Sequence, residues 1–331
     1  MGEGYRLTLP AWQEYFEGLQ KEFDIWAPVV CSGKGAYTGT DSVRYKPVHS
    51  FTEIAYDRKS DFSARETLLP ITQTLFYFTE DNWTEPKVRD RKILLFLRSC
   101  DIHALRRLDQ IYLENGPADP YYKAVRDQVS ICLIECRQSF ANCFCASLNT
   151  NRTENYDLFV RPDGDFVDVQ IKNSAFPALQ GCTAEIEPRF VTDNAVRVTM
   201  PANLPDHVFE VAFWQEYSSR CIGCGRCNFV CPTCTCFSMQ DIFYKDNEKS
   251  GERRRVWASC MVDGFTDMAG GHSFRQSYGE RMRFRVLHKV YDYKKRFGES
   301  MCVGCGRCDD VCPEYISFSH AINRLQPKEG E

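Results

Sequence analysis

The chain has 331 residues, enough for two domains, and 43% of them are hydrophobic, enough to bury a core. With 41 basic against 45 acidic side chains and a net charge of −4, it offers no general attraction to a polyanion. No basic start followed by an apolar run opens the sequence, and no apolar run is long enough to span a bilayer, so a cytoplasmic protein is expected. Eighteen cysteines in such a chain read as metal ligands rather than disulfides, because cytosolic thiols stay reduced.

Trp12, Phe16, Leu19 and Phe23 are spaced to share one face of an N-terminal helix. "KILLFLR" (Lys92 to Arg98) reads as a buried strand, "DIHALRRLDQIYL" (Asp101 to Leu113) as the following helix, and "VSICLIE" (Val129 to Glu135) as the next strand. That order predicts a parallel pair joined by a right-handed crossover. "YDLFVRPDGDFVDVQI" reads as a hairpin turning at Asp163-Gly164. Residues 1–212 are therefore expected to form an α/β domain with a mixed sheet around a parallel βαβ unit. The prolines of Pro201 to His207 mark a connection. Residues 213–331 are expected to be mainly helical, since Met282, Val286, Leu287, Val290 and Phe297 recur at helical spacing and "ISFSHAINRL" also looks helical.

The C-terminal third writes one phrase twice. "CIGCGRCNFVCP" runs from Cys221 to Pro232, and "CVGCGRCDDVCP" from Cys302 to Pro313. Three cysteines at every third position bring three thiolates to three irons of a cubane, and a fourth follows after three residues, trailed by proline. Gly223, Gly225, Gly304 and Gly306 let the backbone turn tightly around the inorganic core. In paired phrases the fourth cysteine crosses to the other cluster. The expected ligands are Cys221, Cys224, Cys227 and Cys312 for one [4Fe-4S] cluster, and Cys302, Cys305, Cys308 and Cys231 for a second. A zinc pair is the competing reading, but zinc is normally held by two spaced pairs of ligands. The long insertion between the copies resembles the α-helical ferredoxin arrangement rather than a compact bacterial ferredoxin.

Other cysteines suggest a further site. Cys100 follows one expected strand and Cys136 the next, beyond the carboxyl ends where open parallel sheets bind ligands. Cys143 and Cys145 come shortly after. These four are candidates for a third [4Fe-4S] cluster, with packed free thiols or a zinc site as alternatives. Cys234, Cys236 and Cys260 either replace a ligand of the first phrase or pack beside it, and packing is the expectation. Cys31, Cys132 and Cys182 read as ordinary core or surface thiols.

Between Lys245 and Ser300, thirteen Lys/Arg stand against eight Asp/Glu. Cations there would stabilise a reduced, anionic cluster, face an acidic partner, or simply meet solvent. His103 could donate to a cluster sulfur, although an ordinary helical role is the plainer reading; His272 and His288 are equally ambiguous. No GxGxxG follows a strand, and neither a nucleophile–base pair nor a flavin motif is legible. No residue is assigned a catalytic role: the chain reads as a carrier of electrons.

"DFSARETLLPITQTLFYFTED", "FLRSCDIHALRRLDQIYLENG", "IECRQSFANCFCASLNTN" and the two CGRC phrases together resemble the iron–sulfur electron-transfer subunit of anaerobic sulfite reductase. More distantly, the chain is similar to the β subunit of soluble NAD(P)-linked hydrogenases. The first resemblance implies two ferredoxin-type clusters and a three-subunit cytoplasmic enzyme. In it, an FAD/NADH-binding subunit supplies electrons and a sirohaem subunit reduces sulfite to sulfide, with this chain as a relay that does not turn over alone. The second implies the same relay role in a hydrogenase. An interaction module held by zinc is the reading of a different class.

Overall fold

The computed structural model describes residues 3–87, 90–180 and 182–327. The chain opens with β1 (Glu3–Thr8) and α1 (Leu9–Leu19). Thr8 caps α1 by accepting from the Ala11 N–H, and Pro10 sits in the first turn, where a missing N–H is harmless. The expected face of α1 is buried at Trp12, Phe16 and Leu19, whereas Phe23 already belongs to the next strand.

Then come β2 (Phe23–Cys31), β3 (Ser42–Pro47), β4 (Thr72–Phe78), β5 (Trp83–Thr84) and β6 (Lys92–Leu97). After β6 follow α2 (Ser99–Tyr112), α3 (Pro120–Arg126) and β7 (Val129–Ile134). The hairpin at Asp163-Gly164 is β8 (Leu158–Asp163) and β9 (Phe166–Ile171), and β10 (Cys182–Glu185) completes the first part.

Among the described residues, eight strands make one sheet in the order β10-β1-β9-β8-β7-β6-β2-β3. Its centre is parallel: β2 pairs with β6, β6 with β7 and β7 with β8. The remaining pairs are antiparallel. This is the mixed sheet with a parallel unit that the sequence predicts. β6 is buried on both faces, as a central parallel strand should be. Leu94 and Phe96 pack with Trp12, Phe16 and Leu19 of α1; Ile93, Leu95 and Leu97 pack with Ile102, Leu105 and Leu108 of α2.

The C-terminal part departs from the mainly helical expectation. Its short helices span Gln215–Arg220, Arg226–Phe229, Tyr278–Leu287, Tyr293–Phe297, Arg307–Asp310 and Phe318–Asn323. Between them runs a long hairpin, β11 (Phe237–Tyr244) and β12 (Asn247–Trp257). β12 also pairs with β4, so strands from distant parts of the chain share a second sheet, β11-β12-β4-β5. The arginine run at 253–255 lies on β12. There Arg253 pairs with Asp241 at 2.7 Å and Arg255 with Asp119 at 2.6 Å.

Candidate iron–sulfur centre

Both phrases fold alike. In each, the glycines are left-handed (Gly223 φ 67°, Gly225 φ 73°, Gly304 φ 64°, Gly306 φ 70°), and a one-turn helix starts at the following arginine. Only glycine takes that conformation cheaply. In the second phrase it also permits close approach: a Cβ on Gly304 would lie 2.7 Å from the Cys145 nitrogen, and one on Gly306 would lie 2.1 Å from the Asn142 oxygen.

Cys221, Cys224, Cys227 and Cys312 line one cavity, walled also by Cys308, Met261, Met282 and Arg285. Backbone N–H groups point at its sulfurs, from Gly223 to Cys221 at 3.4 Å and from Ile316 to Cys312 at 3.3 Å. Cys231 lies instead with the second phrase. Burial pushes the Cys302 thiol up to about 12 and the Cys305 thiol up to about 11, and the neighbouring Cys231 adds to both. Burial likewise raises Cys308, next to Cys305 and Cys231. Burial raises Cys231 as well, but Lys289 beside it holds that thiol below the usual value.

Cations meet these sulfurs from Tyr278–Leu287 and the turn beyond it. Arg285 and Lys289 are each 3% exposed. Burial works against the Arg285 charge, yet the sulfurs of Cys227, Cys308 and Cys231 hold its pKa well above the usual value. Burial opposes the Lys289 charge too, and the sulfurs of Cys231 and Cys234 outweigh it. Arg285 donates to Asn228 Oδ1 at 2.9 Å and Lys289 to Thr233 Oγ1 at 3.0 Å, neither of them a carboxylate. Buried cations of this kind require a nearby anion. The donor set, the glycine cradles and these cations fit a pair of thiolate-bound, net-anionic clusters.

The four other candidates also gather. Cys100, Cys136, Cys143 and Cys145 line one cavity together with Lys59, Arg98, Asn194, Cys305 and Arg307. The sequence marks none of Lys59, Arg98 and Asn194 as part of a site: Arg98 reads there only as the last residue of the strand Lys92 to Arg98, and nothing local marks Lys59 or Asn194.

Cys234, Cys236 and Cys260 gather beside the first phrase, near Cys227 and Cys231, with Cys236 in hydrogen-bond contact with both others. That contact holds the Cys260 thiol down at about 7 against the effect of burial, and Asn228 Nδ2 donates to the same sulfur at 3.1 Å. The three lie outside the cavity of the first phrase. Cys132 is in the core, Cys31 is buried at the end of β2, and Cys182 is exposed. His103 is hydrogen-bonded to the Arg152 carbonyl, 2.9 Å away, rather than to a sulfur. His288 stacks on Phe284, and His272 lies edge-on to Phe274.

Residues 220–316 match the family model of the 4Fe-4S dicluster domain, so the C-terminal third carries a pair of [4Fe-4S] clusters and the chain is an iron–sulfur electron-transfer protein. The chain is similar to sulfhydrogenase 2 subunit beta of Pyrococcus furiosus, 29% identical over 333 residues that cover 95% of each chain. That relative lies with the second resemblance, to hydrogenase β subunits, and lends nothing to the sulfite reductase reading. No helix among the described residues is long and apolar enough to cross a membrane.

Proposed function

We propose that this chain is the electron-relay subunit of a soluble multisubunit oxidoreductase of the hydrogenase type. In this reading residues 213–331 hold the two clusters and residues 1–212 form the sheet they pack against. Cys221, Cys224, Cys227 and Cys312 hold one [4Fe-4S] cluster, and Cys302, Cys305, Cys308 and Cys231 the other. The observation that carries the reading is the gathering of the doubled phrases around buried, carboxylate-free cations, within a chain whose relative is a sulfhydrogenase subunit.

When bound, the clusters supply one-electron carriers. The chain's residues do the rest. Arg285 and Lys289 offset added negative charge, the N–H groups of Gly223 and Ile316 donate to ligand sulfurs, and the core around Val286, Ile316 and Phe318 keeps water from the inner faces. Cys224 and Ile222 are exposed, giving the first site an edge from which a partner can exchange electrons.

The sulfite-reducing alternative keeps in its favour the sequence segments that resemble the electron-transfer subunit of anaerobic sulfite reductase. Purification of the complex without oxygen separates the two. Nickel with a flavoprotein partner supports the hydrogenase-type relay, and sirohaem absorption supports the sulfite-reducing one. A colourless chain that dithionite leaves unchanged would remove both.

A further inference from the structure

We propose that Cys100, Cys136, Cys143 and Cys145 hold a third [4Fe-4S] cluster at the carboxyl edge of the parallel sheet, next in line to the Cys302–Cys308 site. The proposal deepens the relay reading and rests on it.

The topology makes the site. Leu97 of β6 lies opposite Leu133 of β7, so Arg98–Cys100 and Glu135–Cys136 leave neighbouring strands side by side. The loop after β7 then folds back and ends in the short turn Cys145–Leu148, which returns Cys143 and Cys145 to the same cavity. Residues far apart in sequence thus supply four thiols to one space, in the crevice where parallel sheets place ligands.

The surroundings are those of an anion. Arg98 is 4% exposed. Its guanidinium donates to the main-chain oxygens of Glu135 at 3.0 Å and Arg58 at 3.1 Å, and to the Cys136 sulfur at 3.4 Å. None of these carries a full negative charge unless the thiol is ionised. Lys59 reaches the Cys143 sulfur at 3.8 Å and the Cys305 carbonyl at 3.3 Å while paired with Asp310 at 2.5 Å. Four thiolates around an oxidised cubane leave net negative charge, which suits an otherwise unmatched guanidinium. Buried thiols that merely pack as small apolar groups have no use for such neighbours. A single zinc ion draws its ligands to one point, whereas a cubane spreads four thiolates over four irons.

The cavity is continuous with the dicluster domain. Cys305 lines it, Cys143 Sγ donates to the Cys305 carbonyl at 3.4 Å, and the Phe144 N–H donates to the Gly304 carbonyl at 2.8 Å. Cys308 in turn lines the cavity of the first phrase. The Cys302–Cys308 site is therefore the middle station, with the exposed Cys224 edge at one end and the sheet edge at the other. One electron passes per hop, and dithionite serves as the reductant for the test.

Iron and acid-labile sulfide counted on the full chain, purified with its partners and without oxygen, decide the matter. About twelve irons per chain in this subunit are expected, against about eight if only the dicluster domain is loaded. Cys136→Ala should lower the iron count, and should convert or erase one reduced paramagnetic signal while two persist. Eight irons with two normal signals would overturn the third cluster and leave the relay reading standing; a chain without iron would overturn the relay itself. Unchanged iron and spectra in Cys136→Ala would also refute the assignment. If that variant fails to fold, the count on the unaltered chain still decides.

Discussion

Arg307, from the second phrase, donates with both terminal nitrogens to Asp101 of α2 at 2.6 and 2.9 Å, and with its remaining N–H to the Ser60 carbonyl. Both side chains of the pair are 2% exposed. A pair this deep is costly to break from one side, because the partner is left charged and dry. Arg307→Met is expected to destabilise the fold by about 3–5 kcal/mol, with part of the loss recovered in Arg307→Met/Asp101→Asn; denaturant unfolding of the double-mutant cycle measures it. Lys289 makes a different point. Lys289→Met should lower the midpoint potential of the dicluster sites, because it removes a cation that favours the reduced form; a spectroelectrochemical titration that shows no shift would refute that role. His288 sets a pH dependence. Burial, with Lys289 beside it, holds its imidazole below the usual value. The unfolded chain then takes the proton first as pH falls. Stability present above the ordinary value of about 6.5 is lost as pH drops toward the lower folded value. His288→Gln should flatten the fall in melting temperature between about pH 7 and 5.

At the scale of elements, the helix Tyr278–Leu287 was legible and the hairpin before it was not. Ser277 and Glu280 form a capping box at the start of that helix, each side chain accepting from the other's backbone. Ser277→Ala should cost about 1 kcal/mol, read as a lower unfolding midpoint. In the helix the apolar period of Met282, Val286 and Leu287, continued by Val290 in the helical segment His288–Asp292, reports a buried stripe directly. In β11 and β12 the alternation is diluted by Arg, Glu and Gln, and Phe237, Met239 and Phe243 remain exposed. No core face imposes a period there. What orders β12 is its pairing with β4, from a distant part of the chain, which no local pattern can announce.

For the whole molecule, the two parts of the chain are tied at several places at once. β4 pairs with β12, Arg307 with Asp101, and Arg107 with Glu299 at 2.8 Å, while the 142–145 loop presses on Gly304 and Gly306. Unfolding is therefore expected to be one cooperative transition for the loaded chain; two well-separated calorimetric peaks would show that the parts stand independently.

The amino-acid order by itself determined the doubled ligand phrases, the glycines that cradle them, the parallel strand pair and the cysteines at its ends. Each of these is a short-range pattern, set by spacing along a few residues. The tertiary structure alone decided that Lys59 and Arg98 would face those cysteines, that Arg285 and Lys289 would be buried without carboxylates, and that the hairpin would complete a sheet begun far earlier in the chain. Such contacts depend on how distant segments close upon one another, and local spacing carries no record of that closure.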